Sequence, residues 1–286
     1  MCEEINNSFE LLLFSKNPAL IQSCVAAGVG GVIVDWEYRG KNDRQRNYDT
    51  QINHDTLEDL LSVHNSTSAA VICRINAFGD TTAQEIEDLV RGGADELLLP
   101  MVRKEEEVIQ VLRLSKDRCK VGILVETTEA VEKAAALAKL PLSRVYVGLN
   151  DLAIDRAQKQ QINRLECRGM PVNIFTAIAD GTVERVRNCF RSIPFGFGGL
   201  TLPEAGAPIP CRLLIAEMAR LDCQFSFLRR SFLRDIQNRD PAVEIPRLKK
   251  ALFDAFTEQR LRPLSSGVSQ DLLKAIACIS LNKDDT

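Results

Sequence analysis

Histidine is almost missing from this chain: its 286 residues include only His54 and His64, so a three-histidine zinc site is excluded by count. Nine cysteines are present, but they are scattered, odd in number and form no Cys-x-x-Cys pair. That argues against a zinc cluster or a disulfide framework and leaves them as reduced small hydrophobes. Nor is there an excess of charge of one sign. With 36 basic and 39 acidic residues the net charge is -3, which supplies no general field for nucleic acid or an anionic membrane, and neither is expected as a partner. No run approaches the about 18 uninterrupted apolar residues of a membrane span. The first ten residues lack the basic start and apolar run of a signal peptide, so a cytoplasmic location is expected. Linker-like stretches and low-complexity tracts are also missing.

The chain does contain a large apolar fraction, 45%, enough to bury a sizeable core, and one domain over residues 1–286 is expected. Short runs rich in Val, Ile, Leu and Phe alternate with longer segments whose apolar residues recur at helical spacing, the pattern of a parallel sheet with crossover helices. Strands are predicted at 10–14, 31–35, 70–74, 96–100, 121–125, 145–149, 195–202 and 224–228. Helices are predicted to begin near Pro18, Thr56, Thr82, Glu105, Glu129, Phe175, Arg212 and Val243, with a helical extension near 264–286. Eight βα units point to a closed (β/α)8 TIM barrel, a fold that commonly runs to about 250 residues. The rival, an open doubly wound sheet, usually carries a Gly-x-Gly-x-x-Gly turn after its first strand, and none occurs here.

In such a barrel the loops leaving the carboxyl ends of the strands form the active face. The polar residues at those ends are therefore the candidates. Strand two ends in Asp35, followed by Glu37, Arg39 and Lys41; strand three ends in Arg74; strands five and six lead to Glu126 and Asp151. Two carboxylates on neighbouring strands suit Mg2+ or Mn2+, which take oxygen ligands and keep waters, although an Asp or Glu after a strand also serves as a helix cap. Arg74 follows the wholly apolar run 69–73, so its charge must meet either a substrate carboxylate or a structural Asp or Glu. The segment 39–54 is crowded with hydrogen-bonding groups. Its Arg39, Lys41, Arg44 and Arg46 suit a phosphate or second carboxylate, or simply form a solvated loop. The seventh-strand exit carries four glycines in fourteen residues, Gly199 among them, which lets main-chain N–H groups reach a ligand or only tightens the loop. Arg229, Arg230 and Ser231 offer further anion contacts after strand eight.

Five stretches, 32–37, 74–76, 94–102, 125–127 and 148–153, occur in an order and with gaps that resemble the HpcH/HpaI aldolase and citrate lyase beta subunit family. The resemblance implies a barrel of the phosphoenolpyruvate/pyruvate type, commonly a homo-oligomer, that makes or breaks carbon–carbon bonds next to a metal-bound pyruvate or acyl-CoA enolate. It assigns Glu126 and Asp151 to the metal, Mg2+ or Mn2+, and Arg74 to the substrate. One departure stands out. Where the 2-oxo acid aldolases of the family carry a His after the second strand, this chain reads Asp35-Trp36-Glu37-Tyr38, the Asp-x-Glu pattern of the lyase branch.

The sequence reading is thus a metal-dependent carbon–carbon lyase acting on a small-molecule carboxylate, either a 2-oxo acid or an acyl-CoA-type substrate. Its catalytic candidates are Arg74, Asp35 and Glu37. Its substrate-binding candidates are Arg74, Arg39, Lys41, Arg44 and Gly199. Another enolate enzyme, a transferase or mutase, and a non-catalytic metabolite-binding barrel remain as alternatives.

Overall fold

The computed structural model describes residues 9–39, 55–163, 173–261 and 267–281. Nine parallel strands form one sheet: β1 (Glu10–Phe14), β2 (Gly31–Asp35), β3 (Ala70–Arg74), β4 (Glu96–Leu99), β5 (Lys120–Val125), β6 (Val145–Val147), β7 (Phe195–Phe197), β8 (Gly199–Leu200) and β9 (Phe225–Leu228). Their order is β7-β6-β5-β4-β3-β2-β1-β9-β8. The predicted eighth-part repeat survives, because β7 and β8 are two halves of one barrel strand. β7 pairs with β6 and β8 pairs with β9. The sheet nearly closes through the short connection between them, helped by Gln224 N donating to Phe195 O at 2.9 Å. The break falls at Gly198, whose φ of +59° is open to glycine and strained for other residues. The Gly198 carbonyl turns inward, where Tyr146 Oη and Ser226 Oγ both donate to it.

Helices cover the outside: α1 (Pro18–Ala26), α2 (Leu57–Ser66), α3 (Thr82–Arg91), α4 (Glu105–Ser115), α5 (Thr128–Glu132), α6 (Ala134–Leu137), α7 (Leu149–Asn163), α8 (Thr176–Ala179), α9 (Thr182–Cys189), α10 (Cys211–Arg220), α11 (Arg230–Asp235), α12 (Pro241–Leu261) and α13 (Gln270–Leu281). Local chemistry sets several starts. Asn17 caps α1 with Pro18 in its first turn, and Thr56 and Asp59 cap α2 reciprocally. In α13, Leu272 and Ile276 join the core, and the Ile276 carbonyl accepts from Asn173 Nδ2 at 2.9 Å. Among the described residues no helix is long and apolar enough to cross a membrane.

Alternation along the strands sorts the core into two layers. Val32, Val34, Ile123 and Val125 face the helices. Leu12, Ile33, Ile72, Leu98, Leu124, Tyr146, Phe225 and Phe227 fill the barrel interior. The interior has an ionic floor: Arg144 meets Glu10 at 2.7 Å and Glu96 at 2.8 Å and lies over the Phe225 ring. A filled, floored interior leaves the carboxyl-end rim as the place for chemistry.

The sequence reading missed two helices. The sixth strand ends at Val147 rather than 149, and α7 starts at Leu149 where no helix was expected, so Asp151 sits in its first turn. A short helix, α11, also follows β9 directly.

Candidate functional site

Asp35 and Arg74 are the last residues of adjacent strands, and the β2–β3 register places them opposite each other. Arg74 Nε donates to Asp35 Oδ1 at 2.9 Å and Nη2 to Oδ2 at 2.7 Å, a fork-to-fork pairing. Glu37 Oε2 lies 3.4 Å from the same Nε. Asp35 and Glu37 are both buried. Burial opposes the Arg74 charge, but Asp35 and Glu37 outweigh it and hold the guanidinium protonated. Its underside rests on the Phe14 ring, 5.4 Å from the centroid.

Glu126 follows β5 and is also buried. Its Oε1 accepts from Met101 N at 2.9 Å. Met101 holds a φ of +53°, a sparsely populated conformation for a non-glycine residue, and this local strain aims the N–H at the carboxylate. On the other side, a Cβ at Gly148 would lie 2.4 Å from Glu126 Oε2. No side chain fits there without moving the carboxylate. Burial, then the charges of Asp151 and Glu37, push the Glu126 carboxyl up to about 8, against the smaller pull of Arg74 and the Met101 N–H. Asp151 is half-buried in the first turn of α7.

The charges of Glu37 and Asp151 therefore both reach Glu126 at the rim, with Arg74 the cation that opposes them there. The donors are hard oxygens, which fits Mg2+ or Mn2+. Among the described residues no group of three or more His, Cys, Asp and Glu side chains forms a metal cage. Glu126 and Asp151 would offer such a cation two carboxylates.

The remaining candidates lie apart. Arg39 is exposed; its Nη1 donates to Thr81 Oγ1 at 2.5 Å, and its backbone N, like that of Tyr38, donates to Asn76 Oδ1. Gly199 lies in β8, where an added Cβ would be 2.7 Å from Arg229 Cβ. Lys41 and Arg44 lie outside the described residues. Met101, Gly148 and Asn76 were not singled out from the sequence, because their roles are played by backbone, by a missing side chain and by an amide that ties two loops together. Their signals were a position just beyond strand ends and membership of the stretches 74–76, 94–102 and 148–153. Burial also raises the thiols of Cys24, Cys73 and Cys223, which disfavours their thiolate forms.

Residues 9–180 match the HpcH/HpaI aldolase/citrate lyase family, more than half of the chain. The chain belongs to that family. HpcH/HpaI proteins are lyases and aldolases and generally depend on a divalent metal, which supports an enzyme of the lyase type. No curated protein matches the chain by sequence. Solved structures share its fold. The citrate synthase SbnG superposes with a TM-score of 0.57 at 16% identity, covering 83% of this chain and 94% of that one. An HpcH/HpaI aldolase from Desulfitobacterium hafniense DCB-2 gives 0.55 at 16% identity, covering 81% and 90%. A citrate lyase from Burkholderia xenovorans LB400 gives 0.56 at 10% identity, covering 96% and 91%.

Proposed function

We propose that this protein is a divalent-metal-dependent carbon–carbon lyase, which cleaves or joins a 2-oxo acid or acyl-CoA-type substrate beside its carbonyl through an enolate. The observation that carries this reading is the buried Glu126 carboxylate at the carboxyl-end rim, fixed by the Met101 N–H and the bare Gly148 backbone and close enough to Asp151 and Glu37 to feel their charges. Carboxylates crowded into a desolvated rim are poised for a cation. Mg2+ or Mn2+ held by Glu126 and Asp151 would supply the Lewis-acid charge that polarises the substrate carbonyl.

The protein side chains do the rest. Asp35 occupies Nε and one Nη2 hydrogen of Arg74, which leaves three of the five guanidinium N–H donors for substrate oxygens. Arg74 is thereby fixed in plane before substrate arrives, and its charge opposes the negative charge that grows as the bond breaks. Glu37 and Asp35 act as supports of that arginine. The Met101 N–H and the bare Gly148 backbone hold Glu126 in one orientation.

The test is calorimetric binding of oxalate, a mimic of the pyruvate enolate, with Mg2+ or Mn2+ present. Binding is expected to require metal and to be lost in Glu126→Gln and Asp151→Asn. Oxalate binding that survives in both folded variants, or fails with both metals in the unmodified protein, would overturn the proposal.

A further inference from the structure

A second arginine stands at the same end of the barrel and is not used by the enolate reading. Arg229 directly follows β9, and its backbone N donates to Leu200 O at 2.9 Å. Arg74, Arg144 and Arg220 each lie within 3.0 Å of a carboxylate. The half-buried Arg229 guanidinium has no ion pair among the described residues, and its Nε is buried with no hydrogen-bond partner. Two residues on, Ser231 Oγ is buried and unpartnered as well. Burial draws the Arg229 guanidinium below the ordinary arginine value. Asp235, a carboxylate whose charge reaches Arg229, is committed elsewhere: Oδ2 accepts from Thr201 Oγ1 at 2.5 Å and Oδ1 lies 3.5 Å from Arg234 Nε.

Orphaned donors of this kind are costly to keep, and two of them within three residues mark a place where an acceptor is missing. Backbone packs close beside the arginine. Gly199 and Gly206 bring bare backbone against the arginine: an added Cβ would lie 2.7 Å from Arg229 Cβ at the first and 3.3 Å from Arg229 Nη2 at the second. The site also shares a layer with the enolate site. Phe227, two residues before Arg229, packs edge-on against Phe14, the ring beneath Arg74, at 5.3 Å.

We infer that Arg229 and Ser231 form an oxyanion subsite for the far end of the substrate, so that the lyase substrate carries a second anionic group, a carboxylate or a phosphate, remote from its enolate-forming carbonyl. An arginine fork with an adjacent hydroxyl donor fits either group. This inference rests on the proposed function for the word substrate, but not for the subsite itself.

The experiment titrates inorganic phosphate and, separately, succinate into the full-length protein at low ionic strength, by calorimetry. The variants are Arg229→Gln, Ser231→Ala and Glu126→Gln, with metal-dependent oxalate binding followed in parallel. Saturable binding of one anion is expected, weakened at least about tenfold by Arg229→Gln and a few-fold by Ser231→Ala, and kept in Glu126→Gln. Tighter phosphate identifies a phosphorylated substrate, and tighter succinate a dicarboxylate. Oxalate binding should be unchanged in Arg229→Gln. If neither anion binds, if Arg229→Gln and Ser231→Ala both leave anion binding unchanged, or if Arg229→Gln abolishes oxalate binding as well, the subsite is wrong. If oxalate binding is missing from the unmodified protein while the anion still binds through Arg229, the enolate reading fails and the subsite stands.

Discussion

Arg74 and Asp35 end neighbouring strands and are joined by two parallel bonds of 2.9 and 2.7 Å, so the residue that would face substrate is held by a buried partner. Removing one partner of a buried ion pair leaves an uncompensated charge. Asp35→Ala leaves Arg74, among the described residues, with the longer 3.4 Å approach of Glu37. A loss of about 3 kcal/mol is expected in denaturant unfolding. A loss below about 1 kcal/mol would mean that the pair is no more than a surface contact in effect.

The Glu126 carboxyl, raised from 4.5 to about 8, makes the metal-free protein sensitive to pH in a definite direction. Below the unfolded value both states hold the proton and the raised carboxyl contributes its full stability. As pH rises toward the folded value the unfolded chain ionises first, so folding loses stability. Glu126→Gln removes this dependence. Relative to the unmodified protein it should gain on the order of 1–3 kcal/mol at pH 8 and little at pH 5, read from thermal melts in chelator. A difference that stays flat with pH would show that Glu126 is ionised throughout.

Gly148→Ala places a methyl group 2.4 Å from the resting position of Glu126 Oε2. The carboxylate has to move, because Gly148 is backbone and cannot. The variant should fold with a loss of about 1–3 kcal/mol and lose at least tenfold in metal-dependent oxalate affinity. Unchanged affinity would show that the orientation of Glu126 is not what binding needs.

Lys116 ends α4 with a φ of +49° and its side chain exposed, a left-handed position that glycine occupies at no steric cost. Lys116→Gly should raise stability by about 0.5–1 kcal/mol with oxalate binding unchanged. A fall in melting temperature would contradict this.

Much of the fold was legible in local chemistry. Pro18 after Asn17, and Thr56 three residues before Asp59, announce α1 and α2, and the short β-branched runs announce the strands. The rim residues Asp35, Arg74 and Glu126 were legible because a charge at the end of an apolar run has to meet something there. The split of the seventh strand was not, because the apolar pattern continues through 195–202 and only the backbone angle at Gly198 shows the break. Asp151 was placed just past strand six because the apolar run was taken as strand to 149, whereas buried Leu149 and Leu152 belong to a helix. The strained Met101 and the unpartnered Arg229 depend on what is far away in sequence, and no spacing reports that.

The break at Gly198 divides the mechanical allegiance of the seventh strand. Below it, Phe195–Phe197 belongs with β6; above it, Gly199–Leu200 belongs with β9 and, through the Arg229 N to Leu200 O bond, with the rim arginine. The rim arginine is thus backed by the β8–β9 pair, while the lower half of the same barrel strand carries the ladder to β6. One barrel strand serves two neighbours, and Gly198 is where it changes from one to the other.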